Sequence, residues 1–163
     1  LSHHDALRSG LGIVPVDRES LLAQLREIAP QVRGKIVVDT TVPLVPPKVM
    51  RVQLPPEGSA AAKAESILGE GVRVVAGFHN VAAHKLAQNV DVDCDILVFG
   101  DEKAARAAIV ALADEIGLRG VHGGALVNAA AAEAMTSLLI FINKNYQVDG
   151  AGIRITGDLK PLV

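Results

Sequence analysis

The chain has one cysteine, Cys94, no tryptophan, and aromatic residues at only 2% of its 163 positions. A lone cysteine excludes an internal disulfide framework and fits a reducing compartment. With so few aromatics, a core must be built from Val, Ile, Leu and Ala, in a chain where half the residues are hydrophobic. Such side chains suit buried parallel strands and closely packed helices.

A dominant charge sign is missing as well. The 16 basic and 18 acidic residues leave a net charge of −2 and contain no Lys/Arg-rich run, so no electrostatic footprint for nucleic acid or an anionic membrane surface is present. The most apolar segment, Met135 to Ile142, is flanked by Glu133 and Lys144 and is far shorter than the ~20 residues of a membrane span. No signal-peptide pattern opens the chain. A cytoplasmic protein is expected, with one domain or one lobe and part of another.

Familiar catalytic patterns are also lacking. Gly120-Val-His-Gly-Gly has neither dinucleotide nor P-loop spacing, and it follows a helix rather than opening one. His79 and His84 lie five positions apart, ~140° around a helix, so no shared metal is expected. His122 has no evident partner. His3-His4-Asp5 could hold a metal, but a fraying terminus is the simpler reading. Three acidic neighbours around Cys94 should raise its pKa and make it a small core hydrophobe rather than a nucleophile. Asp91, Asp93 and Asp95 alternate like a solvated strand edge, and no Ser/His/Asp constellation or internal repeat is found.

What is present is a succession of apolar strands. The organising stretch runs from Val72 to Phe78, a strand expected to be buried on both faces, and continues through His79-Asn80-Val81. Upstream, Leu11 to Val16 reads as a strand, followed by a helix capped by Asp17 or Ser20 with apolar positions Leu21, Leu22, Leu25 and Ile28, ended by Pro30 and Gly34. Lys35 to Asp39 is the next strand, and Val45 to Ser59 is a proline-rich irregular loop, of a length usually tied to function or mobility. Ser59 caps a helix to Leu68. Downstream come a helical stretch from Ala82 to Gln88, a strand from Cys94 to Gly100, a helix capped by Asp101 and closed by Gly117, and a strand and turn from Leu118 to Gly124. Asn128 is the expected N-cap of a helix from Ala129 to about Asn143, apolar nearly all round and therefore expected to be buried on all sides, often in a subunit interface. Gly150 to Thr156 reads as a final strand.

If the sheet is parallel, Val14-Pro15-Val16, Thr41-Val42-Pro43 and Phe78-His79-Asn80 share its carboxyl edge, where open α/β sheets hold ligands. A planar apolar ligand could lie across them, oriented by His79 or Asn80; equally, the prolines could only terminate strands.

Four pieces in order carry a resemblance: Lys35-Ile-Val-Val-Asp-Thr-Thr-Val-Pro-Leu, Arg73-Val-Val-Ala-Gly-Phe-His-Asn-Val-Ala-Ala, Cys94-Asp-Ile-Leu-Val-Phe-Gly-Asp, and Leu118 to Asn128 followed by a helix with Glu133 and Thr136. From about Leu11 to Ile155 the chain resembles the NADP reductases that use the deazaflavin coenzyme F-420 (8-hydroxy-5-deazaflavin). The resemblance implies an α/β protein, with a partial Rossmann-like parallel sheet over residues 1–90 for NADP and a smaller, mainly helical lobe over 91–163 for the deazaflavin cleft and homodimerisation. It implies hydride transfer by stacking with no catalytic acid or base, His79 orienting. Carried over by position, Val14 and Pro15 would border NADP, Val42 and Pro43 would line the deazaflavin face, and His79, Asn80 and Val81 would flank the ring. Ala151 would approach from the second lobe, and Thr136 stands where the family has a threonine.

Two departures stand out. Ala129 to Ala132 replace a segment where some members carry an arginine, and the glycine loop with the family's first three strands has no counterpart. The chain is thus expected to supply only strands 4, 5 and 6 of the Rossmann order, leaving Leu11 to Val16 as an exposed edge unless further chain or a partner completes the sheet. A non-catalytic deazaflavin-binding or dimerisation module is the alternative, and a reductase of the same fold acting on another flavin or a metal chelate is a third reading.

Overall fold

The computed structural model describes residues 17–160 apart from residue 89. The polar run Leu1 to Gly10 and the expected strand Leu11 to Val16, with Val14 and Pro15, lie outside the described residues. Helix α1 (Arg18–Ile28) begins where Asp17, in extended backbone, accepts the Ser20 amide at 3.0 Å, so Asp17 is the cap. Pro30 lies in the 3-10 turn Ala29–Gln31 that ends it, and Gly34, with φ of 73°, turns the chain into strand β1 (Ile36–Asp39). Residues 40–59 form neither helix nor strand. Ser59 Oγ then accepts the Ala62 amide at 2.9 Å and opens helix α2 (Ala60–Leu68), which leads to β2 (Arg73–Ala76).

The chain continues through a short helix α3 (Ala83–Ala87), β3 (Asp95–Phe99), α4 (Lys103–Glu115), β4 (Arg119–Gly124), a 3-10 turn (Leu126–Asn128) and α5 (Ala129–Tyr146). The sheet order is β1-β2-β3-β4. β1 and β2 are parallel, with Asp39 opposite Ala76, and β3 and β4 are parallel, but β2 and β3 are antiparallel through Ala76 opposite Phe99. The described strands of the expected parallel sheet, β1 and β2, do run parallel, while β3 and β4, expected within a mainly helical lobe, extend the same sheet in the opposite direction. A parallel crossover must carry the chain back to the opposite edge, usually on a helix packed over one face. Here the link holds only α3, five residues with none buried, and it starts and ends at one edge, where Asn80 Nδ2 donates to the Asp95 carbonyl at 2.5 Å. Across the boundary expected at residue 90 the two halves of the sheet are joined by the single pair of Ala76 and Phe99.

Alternation along β2 fills two cores. Val75 joins Ile96 and Val98 under Ala105, Ile109 and Ala113 of α4, while Val74 and Ala76 pack with Phe99 under Ala61, Leu68, Ala129 and Ala132 of α2 and α5. β2 is therefore buried on both faces. Gly120 permits the close approach of α4, since a Cβ there would lie 2.7 Å from the Val110 carbonyl oxygen. The glycines of β4 thus serve packing.

Several local expectations change. Asp101 does not cap α4; Glu102 holds that position, and the Asp101 carboxylate accepts the Leu126 amide at 2.9 Å instead. Asn128 precedes α5, but its Nδ2 donates to the Gly123 carbonyl at 3.0 Å rather than its oxygen accepting from the helix. Asp95 is not a solvated edge residue. It is 1% exposed, accepts from Arg119 Nε at 2.7 Å and Nη2 at 2.5 Å, and takes the Ile155 amide at 2.6 Å. That last bond explains why Gly150 to Thr156 forms no strand: Ile153 accepts the Asp95 amide at 2.7 Å, but a side chain rather than a backbone carbonyl receives the next donor. Cys94 is buried, and burial, reinforced by Asp95 and Asp93, pushes its thiol up.

α5 is buried on one face only. Ala129, Ala132, Glu133, Ser137 and Leu139 are covered, whereas Leu138, Phe141, Ile142 and Tyr146 are exposed. The 21 residues Leu126–Tyr146 are long and apolar enough to cross a membrane by length and composition, which corrects the count made from Met135 to Ile142. A third of the most apolar 18-residue window in that stretch is buried within the fold.

Candidate functional site

A cavity of about 490 Å³ opens at the carboxyl end of β1. Its floor is Val37 and Val38; one wall is Leu21, Leu22 and Leu25 of α1, and another is Ala60, Lys63 and Ala64 of α2. Thr41, Val42, Pro43 and Leu44 form the rim where the chain leaves the strand, and the irregular loop returns as Gln53, Leu54, Pro55 and Pro56. The loop keeps its shape through Gln53 Nε2, which donates to the carbonyls of Val45 and Lys48. Asp39 fixes the rim itself, its Oδ1 accepting both the amide and the hydroxyl of Thr41 at 2.7 Å.

Val42 and Pro43 therefore stand in the cavity wall. His79, Asn80, Val81, Thr136 and Ala151 are not among its lining residues. His79 follows β2 as Val42 follows β1, and because the two strands are parallel neighbours both sit at one edge of the sheet. Immediately before His79, Phe78 holds φ of 65°, a left-handed conformation that a bulky side chain adopts only under constraint from its surroundings.

His79 is 6% exposed, and neither ring nitrogen has a protein partner. Burial pushes its pKa down, with Asp39 opposing. The imidazole is therefore neutral at neutral pH, one nitrogen a donor and the other an acceptor. Asn80 is buried with its Oδ1 unpartnered while its amide nitrogen holds β3. Val81 belongs to the core beneath them. The Thr136 hydroxyl donates to the His79 carbonyl at 2.9 Å, and the Ala151 amide donates to Asn143 Oδ1 at 2.7 Å.

Sequence reasoning missed two features. Leu21 and Leu22 line the cavity, Leu25 both lines it and packs against the core under α2, and no residue of α1 is fully buried. Glu133 is 1% exposed, and its carboxylate accepts the amides of Ala60 at 2.6 Å and Ala61 at 3.1 Å. A single acidic residue within an apolar helix was the available signal. Burial raises its pKa, with the two amides pulling the other way.

The cavity offers apolar walls and proline edges, while the neutral imidazole of His79 and the carboxamide of Asn80 are buried outside its lining. Among the described residues no group of three or more His, Cys, Asp or Glu is placed to hold a metal.

No protein-family model matches the chain. Among curated proteins it is similar to the F420-dependent NADP reductase of Methanocaldococcus jannaschii, at 37% identity over 96% of this chain and 72% of that protein. The F420-dependent NADP reductases of Methanothermobacter thermautotrophicus (39% identity over 88% of this chain and 65% of the relative) and Methanothermobacter marburgensis (35%, over 90% and 68%) are similar too. The chain thus spans 65% to 72% of the length of these relatives. A solved structure from Arthrobacter sp. FB24, described provisionally as an F420-dependent NADP reductase, shares the fold with a TM-score of 0.73 at 21% identity, over 85% of this chain and 65% of that one.

Proposed function

Because this chain belongs to the F420-dependent NADP reductase family, we propose that it is an oxidoreductase passing reducing equivalents between NADP(H) and the deazaflavin coenzyme, with the cavity at the end of β1 receiving the deazaflavin ring. The observation that carries the reading is Val42-Pro43, where the resemblance puts the deazaflavin face, standing in the wall of an apolar cavity at a strand's carboxyl end.

When both cofactors are bound, a hydride leaves the nicotinamide C4 for the deazaflavin C5, and a proton from solvent completes the reduced ring. The protein's own work is to orient and to exclude water. Leu21, Leu22, Leu25, Val37 and Val42 give the ring a dry surface, and Pro43 stiffens the rim. The resemblance gives His79 the orienting role; its ring nitrogens are covered and lie outside the cavity lining, so it bonds the deazaflavin only where the bound ring uncovers one of them. Asn80 and Val81 hold the His79 turn in place, Thr136 pins its carbonyl, and Ala151, tied to Asn143, closes the side formed by residues 91–163. Val14 and Pro15 border NADP. A second copy of the chain packs on the exposed apolar face of α5, as a cytoplasmic homodimer.

His79→Ala tests the assignment. Losing one neutral hydrogen bond, about 1 kcal/mol, raises KM for the deazaflavin roughly five- to tenfold in a steady-state assay. Unchanged affinity and turnover would remove His79 from the site.

A further inference from the structure

We propose that Glu133 is a positioning residue for the site: its carboxylate on α5 caps the N-terminus of α2 and so fixes the cavity wall that faces Val42 and Pro43. The inference rests on the reading of the cavity as the deazaflavin site.

The first amides of a helix have no partner within it. In α2, Ser59 takes the Ala62 amide, and Glu133, 73 residues away from Ala60, takes those of Ala60 and Ala61. Ala60, Lys63 and Ala64 of that same helix line the cavity. The turn held by Glu133 is therefore part of the binding wall.

Glu133, Thr136 and Ser137 stand at helical spacing on one face of α5. Each bonds a different segment: Glu133 the start of α2, Thr136 the His79 carbonyl, and Ser137 the Arg51 carbonyl at 3.3 Å. One polar stripe on an otherwise apolar helix thus ties together the end of β2, the irregular loop and α2. Burying a carboxyl is costly, and joining two helices alone would be served by apolar contacts such as those Ala129 and Ala132 already make with Ala61. Two directed bonds add orientation that such contacts lack.

The test is steady-state kinetics of the full chain with the deazaflavin and NADPH. Glu133→Ala is expected to raise KM for the deazaflavin about tenfold while kcat changes less than threefold and KM for NADPH less than twofold. Glu133→Gln, whose amide oxygen still accepts one N–H, is expected to restore the deazaflavin KM to within threefold of the unaltered chain. A Glu133→Ala chain that melts earlier but keeps its deazaflavin KM overturns the proposal. If that variant does not fold, Glu133→Asp, which withdraws the carboxylate by one methylene, takes its place, and an unchanged KM again overturns it. An unaltered chain whose fluorescence titration shows no deazaflavin binding refutes the cavity reading itself, and the proposal with it.

Discussion

Replacing Val42 by tryptophan lowers kcat/KM for the deazaflavin by about 100-fold or more while leaving the chain folded. Val42 is partly buried at the cavity rim, at the end of β1, where an indole can swing inward without displacing the buried core. Inside a space of about 490 Å³ it takes volume that a flat ring system needs. Catalysis by orientation is unforgiving, since a misplacement of about 1 Å can cost about 100-fold. Val42→Ala enlarges the same rim and should cost far less. Circular dichroism and a urea midpoint near that of the unaltered chain establish that the loss is local. Retention of activity within threefold would place the ring elsewhere.

Asp95→Ala lowers the folding free energy by about 3 kcal/mol, because hydrogen bonds to a charged group contribute about 1.5–3 kcal/mol and an orphaned buried amide costs about 1–3 kcal/mol. The carboxylate is held by Arg119 and by the Ile155 amide. Arg119 is 41% exposed and rehydrates when its partner is lost, which limits the penalty. Ile155 cannot do the same without freeing the segment that carries Ala151. The pH dependence has a definite sign. The guanidinium of Arg119 holds the Asp95 carboxyl below its ordinary value of 3.8, so the folded state binds fewer protons than the unfolded one in that range. The stabilisation is fully present above pH 3.8 and is lost as the pH falls below it. Urea titrations between neutral pH and pH 3 should show the two chains converging in acid. A constant difference would mean that Asp95 acts through packing alone.

The strands over 36–39, 73–76 and 95–99 were legible as short apolar runs between turn residues, and the caps Asp17 and Ser59 as polar residues just before helical spacing. The burial of Cys94 followed from the same apolar run. The parallel direction of β2 followed from the helix that links it to β1, but the reversal at β3 was not legible, because an apolar strand reads alike either way and the link before β3 is too poor in helix to cross the sheet. Asp95 was misread because period two places it on an edge, while its partners Arg119 and Ile155 lie 24 and 60 residues away. The one-sided burial of α5 was hidden for the opposite reason, since a helix apolar all round does not declare which face the chain covers. Of the cavity lining, Val42 and Pro43 were singled out by their place at a strand end. Asp39 and Glu133 were not, since each acts through backbone amides that no side-chain spacing reports.

The most direct test of the account is to mix the purified chain with the oxidised deazaflavin and NADPH doubly deuterated at the nicotinamide C4, in ordinary water, and to follow the deazaflavin absorbance before locating the label. Direct transfer across a dry cleft predicts bleaching with deuterium bound at C5 of the reduced deazaflavin. Bleaching with hydrogen from solvent at C5, or no bleaching, would contradict it.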